Sequence, residues 1–179
     1  LVMIPSGYKD DKLYSIKPVE GLGSELTTNG DFSGGTSNWT ASNATLSIES
    51  GALKITSTGG NRPQAYQTIT GLTVGKNYRL TAVAKRGTTA NAVEIEISGI
   101  GHPTNSNKNF TTEYATLIAE FTATSTTHII QAKIDDGAEP VGTTAFFQSV
   151  SMKEILVNGD FTFSRDGSGA SPATRVNSA

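Results

Sequence analysis

The sequence contains no cysteine, which excludes a disulfide framework and a thiolate metal site. Positive charge is also scarce, because 14 Lys and Arg residues stand against 16 Asp and Glu residues, for a net charge of −2. Binding to phosphate groups needs a basic face, so this balance argues against a nucleic-acid partner. No apolar run approaches the roughly 18 residues that a membrane-spanning helix requires, and the apolar start Leu1–Ile4 is too short for a signal peptide. We therefore expect neither a nucleic-acid nor a membrane partner.

The chain is instead rich in Gly, Thr and Ser, which surround short runs of Val, Ile and aromatic residues. Turn-forming sequences such as Ser50-Gly51 and Gly59-Gly60-Asn61 separate these runs, and helical periodicity never persists. The pattern predicts an all-β protein with strands at Thr45–Glu49, Ala52–Ser57, Gln64–Thr70, Asn77–Lys85, Ala92–Ser98, Ala115–Thr122, Thr127–Ile134 and Thr144–Met152.

Alternation along the runs predicts which side chains face the core. Val93, Ile95 and Ile97 alternate with Glu94 and Glu96, so the two carboxylates are expected on a wet face. One apolar and one wet face per strand is typical of antiparallel sheets that pack in pairs. The fold class we predict is an antiparallel β-sandwich.

The tetrapeptide Asn-Gly-Asp-Phe occurs twice, at Asn29–Phe32 and Asn158–Phe161, near the two ends of the β-rich region. At both places we expect Asn-Gly to permit positive φ, Asp to bond its own turn, and Phe to anchor the next strand. The segments GSELTTNGDFSGGTSNWTAS, GALKI, AYQTITGLTVGKNYRL and TAFFQSVSM follow in an order that resembles the jelly-roll carbohydrate-binding modules of bacterial glycan hydrolases. Similar modules occur in phage tail and other virion surface proteins. The resemblance implies a jelly roll over residues 24–155.

The two flanks, residues 1–23 and 156–179, carry a second resemblance. IPSGYKDDKLYSIKP and FTFSRDGSGASPATRVNSA are similar to two halves of an N-terminal segment of phage structural proteins, into which the jelly roll is inserted. KLYSI and FTFSR are strand-like but cannot bury themselves alone, so we expect these extended flanks to pair with each other or with another chain.

Catalytic motifs are missing from the sequence. His102 and His128 have no neighbouring motif, and no nucleophile elbow, zinc-protease motif or phosphate loop is present. Glu94 and Glu96 are spaced like the carboxylate pair of a glycosidase. We favour the alternative that they lie on a solvated strand face, with Arg79, Lys85 or Lys133 as a cross-strand partner. We expect no enzyme activity.

The resemblance also implies candidate ligands. The related modules often hold a structural calcium, and Asp31 (or Ser33) and Glu49 stand near the matching positions, although Gln148 or Ser149 replaces the usual acid of the closing strand. Sugar binding would use flat aromatic rings and polar loops, with Trp39, Asn61, Arg62, Tyr66 and Tyr114 as candidates. Packing under the sandwich edge is the alternative role for Trp39.

These observations lead to one preferred function and two alternatives. We expect a non-enzymatic virion surface or tail protein whose sandwich serves adhesion or decoration, with other copies, neighbouring virion proteins or a cell-surface glycan as partners. The alternatives are a carbohydrate-binding module of a secreted bacterial glycanase and a subunit of an extracellular filament. Each places the chain on a virion or outside the cell.

Overall fold

A computed structural model describes residues 8–9, 12–13, 18–100, 107–135 and 137–161, with side chains over 21–100, 107–135 and 137–156. By its contacts the chain divides into two units, residues 1–22 with 156–179 and residues 23–155. All regular structure in the described part is β-strand, and none of it is a helix that could cross a bilayer. The strands in chain order are β1 (Tyr8–Lys9), β2 (Lys12–Leu13), β3 (Pro18–Glu25), β4 (Thr40–Ser42), β5 (Ala44–Glu49), β6 (Ala52–Ser57), β7 (Gly60–Asn61), β8 (Gln64–Thr70), β9 (Asn77–Arg86), β10 (Val93–Ile97), β11 (Lys108–Asn109), β12 (Ala115–Thr122), β13 (Thr127–Ile134), β14 (Ala138–Glu139) and β15 (Thr144–Phe161).

Two antiparallel sheets form the body of the second unit. The five-stranded sheet has the order β11-β10-β13-β8-β4, and the six-stranded sheet has the order β12-β9-β15-β6-β5 with β3 beside β15. Two short pairs, β1–β2 and β7–β14, lie outside them. Neighbours such as β8 and β13 are distant in sequence, which is the crossing connectivity expected of a sandwich.

The core lies between the inner faces of these sheets. Leu80 and Phe147 of the six-stranded sheet and Ile95 and Ile130 of the five-stranded sheet are completely buried in one cluster. Each such side chain contributes roughly 1.5–3 kcal/mol when fully buried. The antiparallel sandwich predicted from alternation is confirmed.

All eight predicted strands are present, with ends that differ by two residues or fewer except at β15, which continues to Phe161. The sequence pattern did not predict β1, β3, β4, β7, β11 and β14. Five of these have two or three residues, too few for alternation to be visible.

The two Asn-Gly-Asp-Phe copies adopt different structures. The first is a turn, in which Asn29 and Phe32 have positive φ, Asp31 accepts hydrogen bonds from Ser33, and the Phe32 ring is buried in the core. Gly30 is needed for close approach rather than for positive φ, because a Cβ there would lie 2.0 Å from the carbonyl oxygen of Val150. The second copy continues β15 as strand, so the expectation that both copies form a turn is wrong.

Candidate functional site

The outer face of the five-stranded sheet carries two rows of polar side chains. The strand registers place Thr40, Tyr66, Gln131 and Glu96 opposite one another in one row. The neighbouring row crosses all five strands and consists of Ser42, Gln64, Lys133, Glu94 and Lys108. An outer face of this composition offers amides, hydroxyls and charges at the fixed spacing of about 4.8 Å between strands.

Part of this face is buried, which corrects the sequence prediction. We expected Glu94 and Glu96 on a wet surface, but Glu94 is 0% exposed, Glu96 is 7% exposed and every residue of β10 is buried. Lys133, one of the cross-strand partners suggested from the sequence, lies opposite Glu94 and is itself 0% exposed. Its ammonium donates to Glu96 and lies 3.6 Å from Glu94.

A second layer of polar groups completes this ion cluster. Asn107 donates to Glu94 over 3.1 Å, and the ammonium of Lys108 lies 3.5 Å from Glu94 and 2.8 Å from Asp135. The guanidinium of Arg62 reaches to 4.0 Å from Glu96 and is 45% exposed. The cluster therefore extends from a fully buried carboxylate to a cation in contact with solvent.

The protonation of the cluster follows from this arrangement. The pKa of Glu94 is raised to about 7, first by burial and then by a hydrogen bond with Asp135, while the opposite charges of Lys133 and Lys108 act to lower it. For Lys108, burial lowers the pKa, but the nearby carboxylates of Asp135 and Glu94 outweigh burial and raise it overall. Glu94 is thus partly protonated near neutral pH.

A polar depression lies beside Tyr66, where β8 continues past the end of β4. Its volume is about 300 Å³, and Thr28, Asn38, Gln67, Thr68 and Thr70 are among the residues that line it. The Gln67 amide is held in place because it accepts from the Thr28 N–H and donates to the carbonyl oxygens of Thr28 and Asn38. Thr68 and Thr70 are exposed on the same face of β8 as the half-buried Tyr66, a combination suited to sugar hydroxyls and a sugar face.

The structure separates the aromatic and loop residues that the sequence suggested for sugar binding. Tyr66 lies on the outer face of the five-stranded sheet, and Arg62 and Asn61 precede its strand on an exposed segment. Trp39 is 7% exposed, packs 5.7 Å from Phe32 and donates its indole N–H to the Asn29 carbonyl, which favours the packing role. Tyr114 precedes β12 of the other sheet.

The candidate calcium ligands have other partners. Asp31 is exposed, and its hydrogen bonds from the Ser33 N–H and hydroxyl lower its pKa. Glu49 ends β5 and pairs with Lys54 at 2.8 Å. Within the described ranges, no three acidic or imidazole side chains come together as a metal site. Because Ca²⁺ takes six to eight oxygen ligands, these contacts do not support calcium, which stays a prediction from the resemblance.

The two histidines do not belong to the outer face. His128 is 7% exposed, its Nε2 accepts from the backbone N–H groups of Thr124 and Ser125, and it packs edge-on against Phe121 at 5.5 Å. Burial lowers the pKa of His128, consistent with a neutral, structural imidazole. His102 lies outside the described residues.

The buried cluster is the feature that sequence reasoning missed. The available signal was Lys133 between Ala132 and Ile134, together with two Glu residues that alternate with Val93, Ile95 and Ile97. Alternation assigns such residues to the outer face but contains no information about what covers that face. Here the two-residue strand β11, with Asn107 before it, flanks β10.

Comparisons with known proteins agree with this fold. No family model and no curated protein matches the sequence. Among solved structures, the chain is similar to a family 4 carbohydrate-binding module, with a TM-score of 0.53 and 19% identity over 71% of this chain and 98% of that one. A putative sugar binding protein from Bacteroides thetaiotaomicron VPI-5482 gives a TM-score of 0.51 and 14% identity over 73% of this chain and 100% of that one. These likenesses show that the chain has the jelly-roll sandwich fold found in carbohydrate-binding modules.

A virion protein shares this fold. The enzymatically active domain of tailspike protein 4 from bacteriophage CBA120 gives a TM-score of 0.53 and 16% identity over 73% of this chain. The match spans 21% of the tailspike chain, so the likeness concerns one module of a much larger protein.

Proposed function

We propose that this chain is a non-catalytic glycan-binding sandwich, and that its glycan lies across the outer face of the five-stranded sheet beside Tyr66. The observation that carries the proposal is the half-buried Tyr66, which stands in one row with Gln131 and Glu96 and directly precedes the residues of β8 that line the polar depression. A ring of this kind stacks on the apolar face of a sugar while neighbouring amides and hydroxyls bond its polar groups.

The ion cluster supports binding because burying charged groups destabilises a fold. Removing an ion from water costs several kcal/mol, and well-packed apolar side chains in the same place would stabilise the fold as well or better. A buried ion cluster at this place therefore supports a use on that face, such as holding the exposed Arg62 guanidinium in position for a polar ligand.

The same geometry favours binding over hydrolysis. A glycosidase needs two carboxyl groups that both reach the substrate. Glu94 is completely buried and Glu96 is engaged by the Lys133 ammonium, so neither presents a free carboxyl group to a sugar. We expect no release of reducing sugar from any polysaccharide that the chain binds.

A glycan array probed with the 179-residue chain tests the proposal. We expect binding to at least one neutral glycan, weakened about tenfold by Tyr66→Ala, which corresponds to about 1.4 kcal/mol. Tyr114→Ala is the matched control, since it removes a tyrosine ring from the other sheet and should leave this affinity unchanged. Failure to bind any glycan, or equal losses in the two variants, would contradict the proposal.

We propose adhesion by a virion tail or surface protein as the biological setting, with the flanks tied to other copies or to neighbouring proteins. The shared fold of a phage tailspike domain supports this setting. The second candidate is a module that directs a secreted glycanase to its polysaccharide, supported by the match to nearly the whole of a family 4 module. Preference for a bacterial surface polysaccharide would favour the first, and preference for a plant or algal polysaccharide the second.

A further inference from the structure

We propose that the outer face of the six-stranded sheet holds a second site, for an anionic glycan, built on a row of alternating aromatic and cationic side chains. The row consists of Tyr114, Lys85, Phe146 and Lys54, and we call it the lysine–aromatic row. It belongs to the sheet opposite the proposed neutral-glycan face, so it does not depend on that proposal.

The strand registers build this row. Phe146 of β15 lies between Lys85 of β9 and Lys54 of β6, directly opposite both. Tyr114 precedes Ala115, which pairs with Ala84, so the tyrosine stands opposite Lys85 on the other side. Four side chains from four neighbouring segments therefore lie side by side, across about 14 Å at the usual distance between strands.

The contacts within the row are cation–π contacts. The Lys85 ammonium lies 4.7 Å from the centre of the Tyr114 ring and 5.6 Å from that of Phe146, and the Lys54 ammonium lies 5.8 Å from Phe146. Such contacts hold a cation over a ring and, at Lys85, leave the N–H donors without the strong acceptors that a carboxylate supplies. Both lysines are thus fixed in position on the sheet.

Charge complementarity identifies the occupant. Lys54 is paired with Glu49, whereas Lys85 has no carboxylate within ion-pair distance among the described residues. Tyr114 is 40% exposed and Phe146 is half-buried, so both side chains leave part of their apolar surface open to solvent. A sugar polymer that carries carboxylate or sulfate groups presents both features in one chain, an apolar ring face for stacking and an anion for Lys85.

The attraction must be local, because the whole chain has a net charge of −2. A general cationic surface would bind polyanions through any exposed lysine, whereas the row predicts that Lys85 matters more than other lysines. Lys76 is a suitable comparison: it is exposed, pairs with Glu154 and lies at the opposite end of β9 from Lys85. Removing either lysine changes the net charge equally.

Binding to defined polymers tests the site. The 179-residue chain is titrated with polygalacturonate, which carries carboxylates, with dextran sulfate, and with neutral dextran, at low and at physiological salt. We expect one or both anionic polymers to bind and dextran not to bind at this row. Lys85→Gln should weaken binding about tenfold and Tyr114→Ala several-fold, while Lys76→Gln changes it by less than about twofold. The polymer that binds identifies the anion.

The site is overturned if neither anionic polymer binds, if Lys85→Gln and Lys76→Gln weaken binding equally, or if Tyr66→Ala abolishes the binding. The last would assign the anion to the five-stranded face. Lys85→Gln with unchanged anion binding but a lower unfolding midpoint would show a purely structural role, which also refutes the proposal. Because Tyr66 belongs to the neutral-glycan site alone, failure of that site leaves this result interpretable.

Discussion

Replacing Lys133 by Met tests whether the buried ions of the five-stranded sheet depend on one another. The substitution keeps an unbranched side chain of similar length but removes the ammonium that lies between Glu94 and Glu96. Lys133 and Glu94 are 0% exposed, and the Glu96 side chain is 10% exposed, so water cannot replace the lost cation easily. Removing one partner of a buried ion pair costs about 3–5 kcal/mol.

For a chain of this size, that loss corresponds to a fall of about 6–20 °C in the unfolding midpoint. Urea and thermal unfolding followed by the fluorescence of Trp39 measure it, because this single tryptophan is buried in the core. Lys108→Met is the matched control: it removes the same group from a side chain that is 29% exposed and should cost about 1 kcal/mol or less. A Lys133→Met variant no less stable than Lys108→Met would refute the reasoning.

Three further predictions concern pH and packing. The pKa of Glu94 is about 7 in the folded chain and 4.5 ordinarily, so between these pH values the folded state holds a proton that the unfolded state has released. The free energy of unfolding should therefore fall as pH rises from 4.5 to 7, by about 3 kcal/mol at most. Glu94→Gln should flatten this part of the pH profile measured by urea unfolding, and an unchanged profile would contradict the raised pKa. Gly30→Ala should lower the unfolding midpoint in calorimetry, since its Cβ would meet the carbonyl oxygen of Val150 at 2.0 Å, and wild-type stability would show that the loop relaxes easily. Trp39→Ala should lower the free energy of unfolding in urea by about 3–5 kcal/mol. The folded variant should bind glycan with unchanged affinity, and a loss of affinity would show that the Trp39 ring contacts the ligand.

Local pattern was sufficient for most of the fold and for little of the site. The inward residues Val93, Ile95 and Ile97 of β10 were predicted from alternation alone, since side-chain direction in a strand depends only on position along it. The burial of Glu94 was not predictable in this way. It depends on β11 and on Lys108, which is 14 residues away in the sequence.

The lysine–aromatic row shows the same limit. Tyr114 was a sequence candidate for sugar binding, but only the registers of β12, β9 and β15 place Lys85 between Tyr114 and Phe146.

The sequence by itself determined the strands, their inner faces and the sandwich, because these follow from a two-residue period and from turn-forming residues between the runs. Only the tertiary structure decided which outer positions are covered, which charges meet, and that identical Asn-Gly-Asp-Phe copies form a turn in one place and a strand in the other. The physical reason is that burial and charge pairing depend on neighbours that are distant in the chain, whereas strand formation depends on neighbours along it.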